Sequence, residues 1–411
     1  MLRCLKQGMR VNMSVVAEDA GPPRWAALAG VTAALSMFGV AQGLSYPLFT
    51  LLMQQQGLSP ATIGLSAAMM PLGLILSASF VPKAVQVLGA RALAVGCALL
   101  GSVCFFAIGF LQDWVAWFVI RFLLGLIINP LYILGEVWAL ALAPPARRGR
   151  VMGVFNALMG AGYAAGPLAL AMTGINGWPP FLVGVGGFAA CAAVLFIVSA
   201  GLPGFEAPKS QAAESDDKDR VGGVIWFASL APALLVAVTV SSATQQSAYS
   251  MLPVFGAGYG LTAAALAALI TALSAGNILL QIPLGLAAER FGGRAMVVAC
   301  ALTTAICALL LPSLILTPFI WPLLTVMGGV GYGIYTMALV ELGGRFKGLA
   351  LVAGNAAFAL MWGLGGMIGP PVAGSLMQAV GPVGLPLVIA GLTGALVGFA
   401  LYRAARRSAK G

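Results

Sequence analysis

The chain has 411 residues, of which 61% are hydrophobic and 8% charged, with 21 lysines and arginines against 11 acids and no histidine. A soluble domain carries about 25% charged residues, and so few charges cannot cover a water-soluble globule of this length. A soluble enzyme, a nucleic-acid-binding domain and a disordered chain are therefore excluded, as is collagen, because the 54 glycines follow no period of three.

Basic residues punctuate the chain in clusters. They stand in the first 24 residues (Arg3, Lys6, Arg10, Arg24), at Lys83 and Arg91, and at Arg147, Arg148 and Arg150. They return at Lys209, Lys218 and Arg220, at Arg290 and Arg294, at Arg345 and Lys347, and at Arg403, Arg406, Arg407 and Lys410. Between clusters lie about 55 to 70 nearly apolar residues, room for two spans of about 20 each. In chain order the predicted spans are 25–52, 61–82, 91–112, 115–141, 151–173, 180–201, 223–250, 263–287, 294–314, 317–341, 348–377 and 382–403. The intervening loops Gln54–Pro60, Gly174–Pro180 and Gly256–Thr262 hold no lysine or arginine. By the positive-inside rule the basic loops and both termini are cytoplasmic, and the net charge of +10 is an orientation signal rather than a nucleic-acid footprint. Arg121 is the one basic residue that breaks the pattern.

Residues 1–24 lack the apolar core of a signal peptide and read as a cytoplasmic tail, with Met13 an alternative start. Cys97, Cys104, Cys191, Cys300 and Cys307 fall inside spans without close pairing, so they read as small apolar packing residues. No metal or cofactor is expected. One polar stretch, 203–222, divides the chain into bundles at 25–202 and 223–403, with a short tail at 404–411.

The halves match each other at an offset of 203 residues. Gln42 meets Gln245, Tyr46 meets Tyr249, and Gly89 with Arg91 meets Gly292 with Arg294. Cys97 and Cys104 meet Cys300 and Cys307, Tyr132 meets Tyr335, and Gly162, Gly166 and Pro167 meet Gly365, Gly369 and Pro370. Such pairing at one constant offset predicts a duplicated six-helix unit in parallel orientation, an all-α membrane protein of 12 helices.

Several of these motifs resemble those of the major facilitator superfamily. Gly285 to Arg294, with Glu289, Arg290 and Gly292 between, resembles the loop signature joining the second and third helices of a half. Its first-half copy, Lys83 to Arg91, lacks the acid. Arg121-x-x-x-Gly125 resembles the fourth-helix motif of proton-coupled members, and Gly162-x-x-x-Gly166-Pro167 the fifth-helix motif of antiporters. Over Trp25–Arg403 the chain is similar to the YcaD-like branch of bacterial facilitators, most clearly at Gly135–Trp138 and Gln281–Gly285. The resemblance implies a monomeric, multi-pass transporter of the bacterial inner membrane, not an enzyme, working by alternating access and taking protons as the candidate coupling ion.

Physical reasoning gives the motifs two readings each. Glu289, Arg290 and Arg294 are a charge latch that breaks when the cytoplasmic side opens, or orientation charge alone. Gly162, Gly166 and Pro167, with Gly365, Gly369 and Pro370, allow close helix approach, or form a hinge. Arg121 lies ~12 Å inside the fourth span at 1.5 Å per residue. A charge at that depth either binds a substrate group, sets the protonation of a nearby acid, or snorkels outward. Glu136, the one acid well inside a span, is either a titrating carboxylate or part of the latch.

The resemblance places helices 1, 4, 7 and 10 around the central cavity. That brings Gln42, Tyr46, Asn129, Tyr132, Gln245, Gln246, Tyr249, Tyr332 and Tyr335 to the substrate, with Arg121. Asn277, Gln281 and Trp362 lie at similar depth on helices 8 and 11. Amides supply donors and acceptors and aromatic rings supply flat faces, so the set suits a polar, uncharged, ring-bearing molecule. Uptake of a nutrient, for which a flavin such as riboflavin is the example, competes with proton-driven efflux of drugs or metabolites. A non-transporting receptor is the expectation from a different class.

Overall fold

The computed structural model describes residues 25–144, 148–203, 224–346 and 349–408. The N-terminal tail with Met13, most of the linker, Arg147, Lys347 and Lys410 lie outside the described residues. The first half comprises α1 (Trp25–Gln55), α2 (Pro60–Leu88), α3 (Ala90–Phe110), α4 (Trp114–Leu142), α5 (Arg148–Thr173) and α6 (Pro179–Val198). The second comprises α7 (Val224–Leu230), α8 (Pro232–Ala257), α9 (Ala263–Leu279), α10 (Gln281–Phe291), α11 (Gly293–Leu314), α12 (Ile320–Arg345), α13 (Leu349–Val380) and α14 (Gly384–Ser408).

Among the described residues, ten helices are long and apolar enough to cross a membrane, and α9 with α10 forms an eleventh span bent by 43°. Pro283 explains the bend, because it lacks an amide hydrogen and its ring crowds the carbonyl four residues earlier. The predicted span 223–250 falls on α7 and α8, which break at Ala231 before Pro232 and are not counted among these spans. Local chemistry fixes several helix starts. Ser59 accepts from the Thr62 amide at 3.2 Å with Pro60 following, and Asp113 accepts from the Ala116 amide at 3.0 Å. Gly89 and Gly292 turn the chain between paired helices at φ of 81° and 83°, a conformation glycine adopts without strain.

The duplication seen in the sequence is repeated in the packing. At Gly73 and Gly125, an added Cβ would lie under 3.0 Å from the carbonyls of Phe122 and Met70 respectively. Their counterparts Gly276 and Gly328 press on Thr325 and Leu273, the same positions 203 residues on. Likewise Gly162 abuts Ser36 of α1, and Gly365 abuts Thr239 of α8. Small residues let these backbones touch where lipid offers no hydrophobic drive for helix association.

The helix ends joined by loops without lysine or arginine define a neutral face, and the opposite ends a basic face. The halves meet through α2 with α13, α5 with α9, and α1 with α8. Gly64 lies against Pro370, Gly374 against Pro60, and Gly366 against Pro71, all along the neutral-face portion of α2. Thr50 donates to the Ser250 carbonyl at 2.9 Å, tying α1 to α8 at that level. No packing of comparable extent joins α4 to α12. Among the described residues, the halves are thus packed closely toward the neutral face.

Orientation is open to a direct check. A cysteine at Gln55, an exposed position on the neutral face, is expected to react with an impermeant thiol reagent outside intact cells. One at Ser215, in the linker, is expected to react only after the membrane is opened. Labelling of Ser215 from outside intact cells would overturn the topology.

Candidate functional site

Three tyrosines close the space between the halves. Tyr46 of α1, Tyr163 of α5 and Tyr249 of α8 form a triangle with ring centroids 5.5 to 6.1 Å apart. The Tyr163–Tyr249 pair is edge-to-face at 80°, a geometry the ring quadrupoles favour. The side chains of Gln246, Gln42 and Tyr163 approach the Tyr46 hydroxyl. Ser274 of α9 donates to the Tyr249 oxygen at 3.4 Å, and Tyr132 of α4 donates to the Gln42 side-chain oxygen. Three helices of one half and two of the other therefore contribute to one hydrogen-bonded cluster of rings between the halves.

Behind Tyr46 lies Arg121. It is 1% exposed, so it turns into the protein rather than snorkelling to the membrane surface. Its Nη1 donates to Ser66 of α2 at 3.1 Å, and its guanidinium carbon lies 4.8 Å from the centroid of the Phe49 ring. The Nε has no hydrogen-bond partner. Among the described residues no carboxylate forms an ion pair with it. The cation is held by a ring face and one hydroxyl.

Toward the basic face the space between the halves is lined by a second aromatic group. Tyr332 and Tyr335 of α12 lie 5.6 Å apart, and Trp362 of α13 packs 4.9 Å from Tyr335. Glu136 of α4 is exposed, and it acts electrostatically on Tyr132, Tyr332 and Tyr335. A carboxylate of one half thus lies within electrostatic range of two phenols of the other. Gln281 is anchored beside them, accepting from Thr336 at 2.8 Å and donating to Asn277 at 3.3 Å.

Two amides turn elsewhere. The Asn129 side chain donates to Ser77 at 2.8 Å and to the Leu74 carbonyl at 3.3 Å, both on α2, so it is spent within the first half. Gln245 donates to the Gly328 carbonyl of α12 at 3.4 Å, beside the close approach of Gly328 to Leu273. Gln246, one residue on, reaches the gap between the halves.

In the charged loop, Glu289 and Arg290 are exposed, and Glu289 forms no ion pair among the described residues. Arg294 instead pairs with Glu341 at 2.6 Å, and Arg345 approaches the same carboxylate at 3.6 Å. Glu341 is therefore shared between Arg345 of its own helix and Arg294 of α11. Gly162 and Gly166 sit against α1, and Gly365 and Gly369 against α8, while Pro167 and Pro370 lie inside continuous helices.

Tyr163, Phe49 and Ser66 were not singled out from the sequence. Tyr163 stands between Gly162 and Gly166, and a tyrosine amid small residues on a packing face was the available signal.

The pattern of the Major Facilitator Superfamily matches residues 31–339 and 234–411. The chain is 24% identical over 353 residues to the uncharacterized MFS-type transporter YfkF of Bacillus subtilis (strain 168), covering 84% of this chain and 87% of that protein. Its fold matches the crystal structure of a point mutant of the nucleoside transporter NupG with a TM-score of 0.76 at 13% identity, over 92% of this chain and 99% of the other. It also matches a bacterial homolog of the human lysosomal transporter Spinster, in an inward-facing and unoccupied conformation. That TM-score is 0.67 at 15% identity, over 93% of this chain and 95% of the other.

Proposed function

Because this chain belongs to the Major Facilitator Superfamily, we propose that it is a secondary transporter of a polar, uncharged, ring-bearing small molecule. The observation that carries this reading is the tyrosine triangle of Tyr46, Tyr163 and Tyr249, built from both halves and ringed by Gln42 and Gln246. Rings stack on a flat heterocycle, and the amides match its carbonyl and N–H edge. Nucleosides and flavins such as riboflavin fit that description. The fold it shares with NupG is compatible with this class and does not select within it. Within the superfamily we place the chain in the YcaD-like branch, on Gly135–Trp138 and Gln281–Gly285. We assign it to the bacterial inner membrane with both termini cytoplasmic, and read it as a monomer.

Rocking of the halves about the triangle would expose the ring cluster alternately to each face. Packed closely at the neutral face, the present state leaves Glu289 without an ionic partner among the described residues, as a latch released when the basic face opens would be. Asn129 and Gln245 then serve helix packing, and Tyr163 joins the substrate set.

Uptake of radiolabelled uridine, riboflavin and a hexose into proteoliposomes tests the class. Gln246→Leu and Gln42→Leu are expected to weaken half-saturation about 5- to 10-fold, an amide hydrogen bond contributing roughly 1–1.5 kcal/mol. Gln42→Leu also strands the Tyr132 hydroxyl, so it is measured with Tyr132→Phe as well. Unchanged half-saturation in all variants would make the amides structural.

One observation favours a second reading, proton-coupled efflux: Glu136 lies within electrostatic range of Tyr332 and Tyr335. A carboxylate there could bind a proton in one state and lose it in the other. Glu136→Gln is then expected to bind substrate but to lose accumulation driven by an imposed pH gradient. Retained accumulation would make Glu136 a latch residue.

A further inference from the structure

At the basic face of the second half, a cavity of about 500 Å³ opens between the ends of α8, α11, α12 and α14. Its walls are apolar, with Leu234, Leu396 and Phe399 among them. Its rim carries Arg294, Arg345 and Arg403, facing the single carboxylate of Glu341. Glu341 is engaged by Arg294 and Arg345. Arg403 rests 5.7 Å from the Phe399 ring and joins no ion pair among the described residues.

The duplicated half shows what such a place looks like when it is filled. Arg91, the counterpart of Arg294, donates to the carbonyl of Leu202. Trp138, the counterpart of Glu341, donates its indole N–H to the Pro203 carbonyl at 3.2 Å. The chain leaving α6 makes a short turn at Ser199–Gly201 and folds over the helix ends, with Leu202 only 1% exposed. In the second half the corresponding residues continue along α14, which runs to Ser408. Where the first half has a tryptophan and its own backbone, the second has an open apolar cavity and an arginine cluster.

We propose that this cavity binds an anionic phospholipid, with the phosphate on Arg345 and Arg403 and an acyl chain along Leu234, Leu396 and Phe399. Guanidinium groups present paired donors that match phosphate oxygens. Basic pockets between spans at the headgroup level recruit anionic lipids through the same pairing. The apolar walls decide between occupants. The acidic run Glu214–Asp219 of the linker could meet the arginines, but it has no apolar residues to fill the space beneath them. A lipid satisfies both parts of the cavity at once.

Native mass spectrometry of the purified full-length protein, titrated with phosphatidylglycerol or phosphatidylcholine, tests this. The wild type is expected to prefer phosphatidylglycerol. Arg403→Gln is expected to lower that affinity about fivefold, and Arg345→Gln with Arg403→Gln roughly 25-fold, given the worth of one basic residue near a membrane surface. Affinity for phosphatidylcholine should stay unchanged, and Arg403→Lys should restore part of the loss. Thermal melting without lipid checks that each variant is folded. If the double variant does not fold, Arg403→Gln decides alone. Equal binding of both lipids by the wild type, or undiminished phosphatidylglycerol binding by folded Arg403→Gln, would overturn the proposal. So would a rise in phosphatidylglycerol affinity when Asp216, Asp217 and Asp219 become asparagine, since the linker would then be the occupant.

Discussion

Arg121→Met is expected to lose most transport while leaving the protein at least as stable as the wild type. The residue is 1% exposed, has one hydroxyl partner in Ser66, and leaves its Nε without a hydrogen bond. Burying a charge with so little compensation costs a few kcal/mol, roughly 2.5–3.5 at the centre of a helix in a bilayer. Methionine of similar reach removes that cost and keeps the contact with Phe49. The buried guanidinium places a fixed positive charge within electrostatic reach of Tyr46. On the function proposed above, that charge would polarise the Tyr46 hydroxyl as a donor toward a substrate carbonyl. Losing a charge-assisted hydrogen bond worth about 1.5–3 kcal/mol should cut transport roughly 10- to 150-fold. Arg121→Lys should recover little, because an ammonium cannot lie flat on the Phe49 ring while reaching Ser66. A variant that melts higher and transports like the wild type would show that Arg121 is structural. Glu136 lies fifteen residues away on α4, ~22 Å at 1.5 Å per residue, too far for direct pairing with it.

Gly276→Val should prevent assembly of the second half, and Gly73→Val of the first. A Cβ at either position falls under 3.0 Å from a backbone carbonyl of the facing helix, at Thr325 and Phe122. A backbone oxygen cannot rotate aside as a side chain can. Overpacking in a relaxable core costs about 1–3 kcal/mol, and a clash that pushes two helices apart costs more. Set against a total stability of about 5–15 kcal/mol, this should abolish the monodisperse peak in size-exclusion chromatography. Gly160→Ala is the matched control, since its nearest neighbour is Ile278 at 3.7 Å. If Gly276→Val elutes and melts like the wild type, the close approach of α9 and α12 is not what holds that half together.

The architecture was legible because two signals repeat: basic clusters at every second loop, and identities at an offset of 203. Glycines carry the second signal into three dimensions, since the matched pairs are the points where backbones touch. The site was legible by depth and not by direction. Asn129 and Tyr132 are three residues apart on α4, yet one turns to α2 and the other to Gln42, because about 60° of helix rotation separates them. Tyr163 was hidden by its neighbours: Gly162 and Gly166 marked that stretch as packing surface, and only the meeting of α1, α5 and α8 shows its ring facing the gap. Pro283 and Pro232 were visible, but a hydropathy run passes through a bend without registering it.

The polarity of α8 bears on how the protein is made. Between Pro232 and Ala257 it carries six serine and threonine hydroxyls besides Gln245 and Gln246, and it is not among the ten helices apolar enough to cross a membrane singly. As it emerges from the ribosome, such a segment partitions into lipid reluctantly. Some of the acceptors that would reconcile it with the bilayer are not yet synthesised. Ser241 is satisfied by Gly331 of α12, Gln245 by Gly328 of the same helix, and Ser242 by Trp362 of α13. Among its earlier-made neighbours, α1 offers the Thr50 hydroxyl to the Ser250 carbonyl. The second half is therefore born out of order, with its seventh crossing provisional until the tenth and eleventh arrive to complete it.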